Sequence, residues 1–252
     1  MSSNKESVQR TVIVALALCL VCSVVVSAAA VALRPAQKIN EQANMQMNIL
    51  QAAGLYDPTR PVQEQFAQVT PRLVDLATGE FVEGMDPVSY DQRRAAKDPA
   101  MNRVLSGDED IAGIKRQAKV AKVYLIEDAG QIDKIILPVH GYGLWSTLYG
   151  FVALEGDANT VAGMGFYEHA ETPGLGGEVD NPNWKAQWTG KRIYDGEQVA
   201  MRLVKGGAAP TDDYGVDALS GATLTSRGVD NLIQFWMSDS GFKPFLDNVK
   251  QG

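Results

Sequence analysis

Val120-Ala121-Lys122-Val123-Tyr124-Leu125-Ile126 and Ile132-Asp133-Lys134-Ile135-Ile136-Leu137-Pro138-Val139 flank Asp128-Ala129-Gly130-Gln131, and their reading decides the fold class of this 252-residue chain. Both runs are rich in β-branched residues, and a polar, Gly-containing turn between such runs is a hairpin signal. Residues 147–154 and 160–167 repeat the design around Gly156-Asp157. Four antiparallel strands in a row are therefore expected. Residues 72–76 add a short strand candidate, and residues 199–204 add a run ahead of Gly206-Gly207. A closing helix is indicated by Val229, Leu232, Ile233 and Trp236, which recur at helical spacing. The expected fold is α+β, a mainly antiparallel sheet with flanking helices. Residues 86–113, with Pro87, Pro99 and a polar stretch at 91–98, support no assignment.

Outward from the sheet, the N-terminal part is of another kind. Residues 11–33 contain no charge, Pro or Gly. At about 1.5 Å per residue they reach about 34 Å, enough to cross a hydrocarbon core of about 30 Å. They read as one transmembrane helix after a tail at 1–10, with a soluble domain at 34–252. A cleaved signal peptide is the competing reading, since Lys5 and Arg10 form a basic region and Ala28-Ala29-Ala30 resembles a cleavage site. The run is longer than the usual apolar core of such peptides, which favours retention as an anchor. After it, Ile39, Ala43, Met47 and Leu50 recur at helical spacing and read as a further helix that stops normally at Gly54.

Composition narrows the chemistry. The net charge is −7, and no Lys/Arg cluster suited to a phosphate backbone occurs, so nucleic acid is not an expected partner. Beyond the tail the balance is 21 basic against 29 acidic residues, a poor match for the anionic cytoplasmic leaflet. A short tail inside and a large domain outside is the expected topology. Cys19 and Cys22 both fall in the apolar run, which leaves the soluble part without thiolates for zinc or an iron–sulfur cluster. His140 and His169 are the only histidines, so no metal site is expected. No G-x-S-x-G elbow and no P-loop is present.

The informative stretch is Asp217-Ala218-Leu219-Ser220-Gly221-Ala222-Thr223-Leu224-Thr225-Ser226. Ser220 is an N-cap candidate, Gly221 and Ala222 permit close approach to the backbone, and the closing helix begins near Thr223. A helix start offers free N–H groups and partial positive charge, which favour an anion and phosphate in particular. A capped helix with no ligand fits the same residues.

Ser220-Gly221-Ala222-Thr223, preceded by Asp217, resembles the D-x-x-[ST]-G-A-T flavinylation motif. Further segments extend the likeness over nearly the whole chain: Arg72-Leu73-Val74-Asp75, Leu137-Pro138-Val139-His140-Gly141 with Gly143-Leu144-Trp145, Glu171-Thr172-Pro173-Gly174-Leu175-Gly176-Gly177-Glu178, and Lys205-Gly206-Gly207. Together they resemble the C subunit of the Na+-translocating NADH:quinone oxidoreductase and, more distantly, the G subunit of Rnf-type complexes. The resemblance implies FMN joined by a phosphoester bond to Thr223, installed from FAD by a flavin transferase, in a domain on the periplasmic side of a bacterial inner membrane. It further implies that His140, Gly141, Leu144, Trp145, Glu171, Thr172, Gly174, Leu175, Lys205, Asp217, Ser220, Gly221, Ala222 and Leu224 surround the flavin. Thr225 is the local competitor for attachment. On this reading the chain relays electrons among the subunits of a membrane complex, has no NADH site of its own, and leaves sodium transport to its partners. The alternatives are the equivalent flavin subunit of an Rnf-type complex, or a membrane-tethered binding module without redox chemistry.

Overall fold

The computed structural model describes residues 8–251; residues 1–7 of the expected tail lie outside the described residues. The chain divides into two compact units, residues 1–44 and 45–252. Helix α1 (Val8–Ala52) contains the apolar run, with a mean hydropathy of 2.9 over its most apolar window, and is long and apolar enough to cross a membrane. The sequence spacing predicts two helices, one on either side of Arg34-Pro35, and the structure has one. Proline removes a single backbone hydrogen bond and already holds a helical φ, which so long a helix accommodates.

The second unit is built on a five-stranded sheet. Helix α2 (Val62–Phe66) leads into β1 (Val69–Asp75). In the segment for which sequence patterns support no assignment, helix α3 (Gln92–Ala95) and the short strand β2 (Asn102–Val104) stand among turns, and β2 pairs with β3 (Arg116–Ala118) just beyond it. Then come β4 (Val120–Asp128), β5 (Gln131–Tyr142), β6 (Thr147–Glu155) and β7 (Val161–Glu168). The order is β1-β4-β5-β6-β7, antiparallel throughout, as the consecutive hairpin signals predict. Ala129 and Gly130, at φ +48° and +83°, form the β4–β5 turn, both on the positive side that matches strand twist.

Side chains alternate between two cores, the period-two consequence of a pleated strand. Ile135, Leu137 and Val139 of β5 join one cluster with Val229, Leu232, Ile233 and Trp236 of α5 (Thr223–Trp236). Ile136, between them in sequence, joins the other with Phe151, Tyr124 and the end of α1 at Ile49 and Leu50. Both faces being covered explains why these strands read as nearly unbroken apolar runs.

The expected strand at 199–204 is two. Ala200 and Met201 both donate to the Ile193 carbonyl, at 2.8 and 3.1 Å, and this double contact breaks the run. On one side β8 (Tyr194–Asp195) pairs with β9 (Gln198–Val199); on the other β10 (Arg202–Val204) pairs in parallel with β11 (Gly215–Asp217). Between sheet and β8 lies α4 (Pro182–Ala186). A last helix, α6 (Lys243–Gln251), clasps the turn after β1. Gly79, at φ +72°, sits against the Pro244 backbone where no Cβ would fit, and Asn248 Nδ2 donates to the Thr78 carbonyl at 3.1 Å.

Candidate functional site at the start of α5

Thr223 is the first residue of α5, and the turn before it explains why. Gly221 takes φ +73°, a conformation that favours glycine, and Ala222 occupies the N-cap position without any side-chain cap. The expected cap, Ser220, is exposed and does not serve. Ser226 braces the turn from inside the helix instead: its hydroxyl donates to the Ala222 carbonyl at 3.0 Å and accepts from the Leu219 N–H at 2.9 Å. The first-turn N–H groups are thereby left to whatever lies in front of them.

What lies in front is a cavity of about 670 Å³, bordered by Thr223, Gly221, Ser220, Gly206, Lys205 and Arg227. Lys205 and Arg227 have no carboxylate partner among the described residues. Two carboxylates also border it, and both are spent on the backbone. Asp217 Oδ1 accepts the Ala208 N–H at 2.7 Å, and Asp230 Oδ1 accepts the Leu203 N–H at 2.8 Å, with burial raising the Asp230 pKa. Asp217 is thus a holder of the 206–208 loop. The formal charges at the border balance, but with the carboxylates turned to the backbone the groups left to donate are Lys205, Arg227 and the free amides of the helix start, which suits an anion. Arg227 was missed in the sequence, although its place four residues after Thr223 puts both on one helix face.

Thr225, two residues on, points about 200° away around the helix. It is fully buried, and its hydroxyl donates to Glu171 Oε2 at 2.7 Å. The other oxygen of Glu171 accepts the N–H groups of Leu144, Trp145 and Ser146 at 3.1, 3.0 and 3.3 Å. Burial pushes the Glu171 pKa up, but the Thr225 hydroxyl and the three amides outweigh it and hold the carboxyl below its ordinary value. One buried carboxylate therefore ties α5 to the β5–β6 turn.

The loop after Glu171 closes on itself. The Thr172 carbonyl accepts from Leu175 and Gly177, and Gly174 supplies φ +74°. Leu175 reaches the neighbourhood of Gly221, where an added Cβ would meet its Cδ2 at 3.2 Å. Leu175, Leu224, Leu144 and Trp145 are all exposed, Trp145 by 65% and Leu224 by 52%. Large apolar side chains left open on the elements tied together by Glu171 suit a planar ligand body or a partner surface.

Two of the expected residues stand elsewhere. His140 stacks on Tyr149 at 5.3 Å and lies against Trp236, lining a different cavity. Gly141 is buried against α5, where an added Cβ would meet Leu232 at 3.0 Å. Its small size serves sheet-to-helix packing.

A family model described as FMN-binding domain matches residues 143–238, which include the Glu171 loop, the cavity border and Thr223. The C subunit of the Na(+)-translocating NADH-quinone reductase of Pseudomonas aeruginosa is 52% identical over 99% of both chains. That of Vibrio anguillarum is 50% identical over all of this chain and 99% of its own. Among solved structures, NqrC of Shewanella oneidensis superposes with a TM-score of 0.79 at 38% identity, covering 85% of this chain and all of its own. The C subunit of Parabacteroides distasonis gives 0.67 at 29% identity, over 85% and 96%. The chain therefore belongs to the family of C subunits of the Na+-translocating NADH-quinone reductase, an oxidoreductase complex, and carries that family's FMN-binding domain.

Proposed function

We propose that this chain carries FMN on Thr223 through a phosphoester bond and passes electrons between other subunits of the membrane complex. The observation that carries the assignment is the contrast of two threonines: Thr223 is exposed beside a cavity with two unpaired bases, and Thr225 is buried and hydrogen-bonded. The residues present fit the group. The cavity is within the usual range for a small-molecule site, the α5 amides with Lys205 and Arg227 suit a phosphate, and Leu175, Leu224 and Trp145 suit a flat ring system.

FMN, when bound, supplies reversible electron transfer. The chain's own part is attachment and placement. Thr223 Oγ1 attacks the flavin-side phosphorus of FAD in the flavin transferase; a P–O bond forms, the pyrophosphate P–O bond breaks, AMP leaves, and the hydroxyl proton passes to base. Lys205 and Arg227 then balance the remaining phosphodiester charge, and Glu171 keeps the Trp145 turn and the Leu175 loop in place. α1 anchors the chain in the bacterial inner membrane. The excess of acidic residues beyond the tail supports placing the soluble domain on the periplasmic side.

Peptide mass spectrometry on denatured protein co-expressed with a flavin transferase tests the reading. The peptide containing Thr223 should be heavier by one FMN less one water, with yellow colour surviving denaturation. Thr223→Ala should abolish both and Thr225→Ala should keep them. An unmodified Thr223 beside an active transferase would sink the proposal.

A further inference from the structure

A second cavity, of about 640 Å³, opens where the α3 segment meets β5–β7, and it shares no lining residue with the one at Thr223. Four cations line it, Arg93, Lys97, Lys115 and Arg116, against a single carboxylate, Glu168. That carboxylate is engaged, because Arg93 donates to its Oε2 at 2.8 Å. Arg93 is fixed further by lying 3.5 Å from the centre of the Tyr149 ring and by donating to the Tyr167 hydroxyl. Lys97, Lys115 and Arg116 have no carboxylate partner among the described residues. In a chain of net charge −7, three uncompensated bases around one cavity reverse the sign of the molecule locally.

Two further features hold the backbone that carries Lys115 and Arg116. Lys115 sits at φ +64°, with the Arg116 N–H donating to the Ile114 carbonyl at 2.7 Å, a tight turn of a strained kind. Asp110 keeps it so, its two carboxylate oxygens accepting the Ile114 and Lys115 N–H groups at 2.7 Å each. A glycine would relieve the strain; the lysine there adds a charge to the cavity wall. His140 lines the same cavity, and its ring makes no hydrogen bond among the described residues. Burial, and then the charge of Arg93, push its pKa down to about 4, so at neutral pH it presents one N–H donor and no charge.

We propose that this cavity binds a phosphate group, free or borne by a lipid headgroup, through Lys97, Lys115 and Arg116, with the His140 ring N–H donating to one of its oxygens. Four cations against one carboxylate leave three positive charges over, and a group with several acceptor oxygens satisfies lysine, guanidinium and imidazole together. The site lies outside the flavin cavity and does not depend on the flavin assignment.

The two histidines make the test direct, since full-length protein carrying ring-labelled histidine gives two NMR signals. At pH 7, in detergent, sodium phosphate is titrated against sodium chloride of equal ionic strength. The His140 signal should shift saturably with phosphate alone, while the His169 signal stays. Lys97→Gln, Lys115→Asn and Arg116→Gln combined should raise the half-saturation concentration roughly tenfold or more; asparagine at 115 tolerates the positive φ. Lys97→Gln alone, at an exposed position, should raise it several-fold and covers the case in which the triple variant fails to fold. A parallel series in phosphatidylcholine vesicles, with and without phosphatidylglycerol, separates the sources. A His140 shift requiring phosphatidylglycerol supports a headgroup, and one produced by inorganic phosphate supports a soluble ligand. No shift in either series, an equal shift in chloride, or a shift unchanged in Lys97→Gln would overturn the proposal.

Discussion

The two cavities are of similar size and opposite construction. The one at Thr223 is made largely of backbone: glycines at positive φ, an uncapped helix start, and carboxylates turned back onto main-chain amides. The one at His140 is made of side chains, with Arg93 laid over Tyr149 and three lysine or arginine side chains around it. Backbone donors are held by the fold itself and lose little freedom on binding, which suits a cofactor held permanently. Long cationic side chains must be ordered by their ligand, which suits a reversible one. The cavities should therefore respond differently to substitution.

The sharpest break is at the attachment point. Thr223→Ala should remove all covalent flavin, and Thr223→Ser should restore it, as read by mass spectrometry. If Thr223→Ala keeps the modification at Thr225, the contrast between exposed and buried threonine has no consequence.

Next comes Glu171. Its removal strands three N–H groups and a buried hydroxyl, so Glu171→Ala should cost about 3 kcal/mol in urea unfolding. The effect should depend on pH with a definite sign. A carboxyl whose folded pKa is depressed contributes stability above its unfolded value, near 4.3, and loses it as pH falls through the folded value. The wild-type advantage over Glu171→Gln should shrink in acid; an advantage that grows there would contradict the geometry.

Gly228→Ala tests the seating of α5. An added Cβ would press on the Tyr142 carbonyl and Gly143, at a cost of about 1–3 kcal/mol, together with slower flavin loading. Arg227→Gln, at an exposed position, should leave urea stability within about 0.5 kcal/mol of wild type while reducing flavin loading several-fold.

The smallest effect concerns His169. Its Nε2 pairs with Asp180 at 2.8 Å, and this contact raises its pKa. Asp180→Asn should bring the His169 midpoint back toward about 6.5 without moving His140. The stabilisation from the pair is complete below about 6.5 and fades as pH rises through the raised value.

The same difference in construction governs what the sequence makes visible. Four strands announce themselves because both faces are covered, as Ile135 and Ile136 illustrate by entering different cores. The Thr223 turn is legible because positive φ calls for glycine, and Gly221 stands where it is needed. The His140 cavity is not, since Arg93, Lys115 and Tyr149 come from distant segments and meet only through the sheet. Ser220 reads as a cap because hydroxyls before a helix usually are one; here Ser226 braces the turn from within. The division of 199–204 depends on the Ile193 carbonyl, which no local pattern reveals.

The clasp of α6 on Gly79 bears on the order in which the molecule is made. The turn beside the sheet's first edge strand is closed by residues about 170 positions further along the chain. A nascent chain emerging N-terminus first can pair its strands early, yet that turn stays unlatched until α6 has been made. A truncation before Lys243 should therefore leave a sheet that forms but opens at β1, exposing Val69 to Asp75 to proteases that spare the full-length protein.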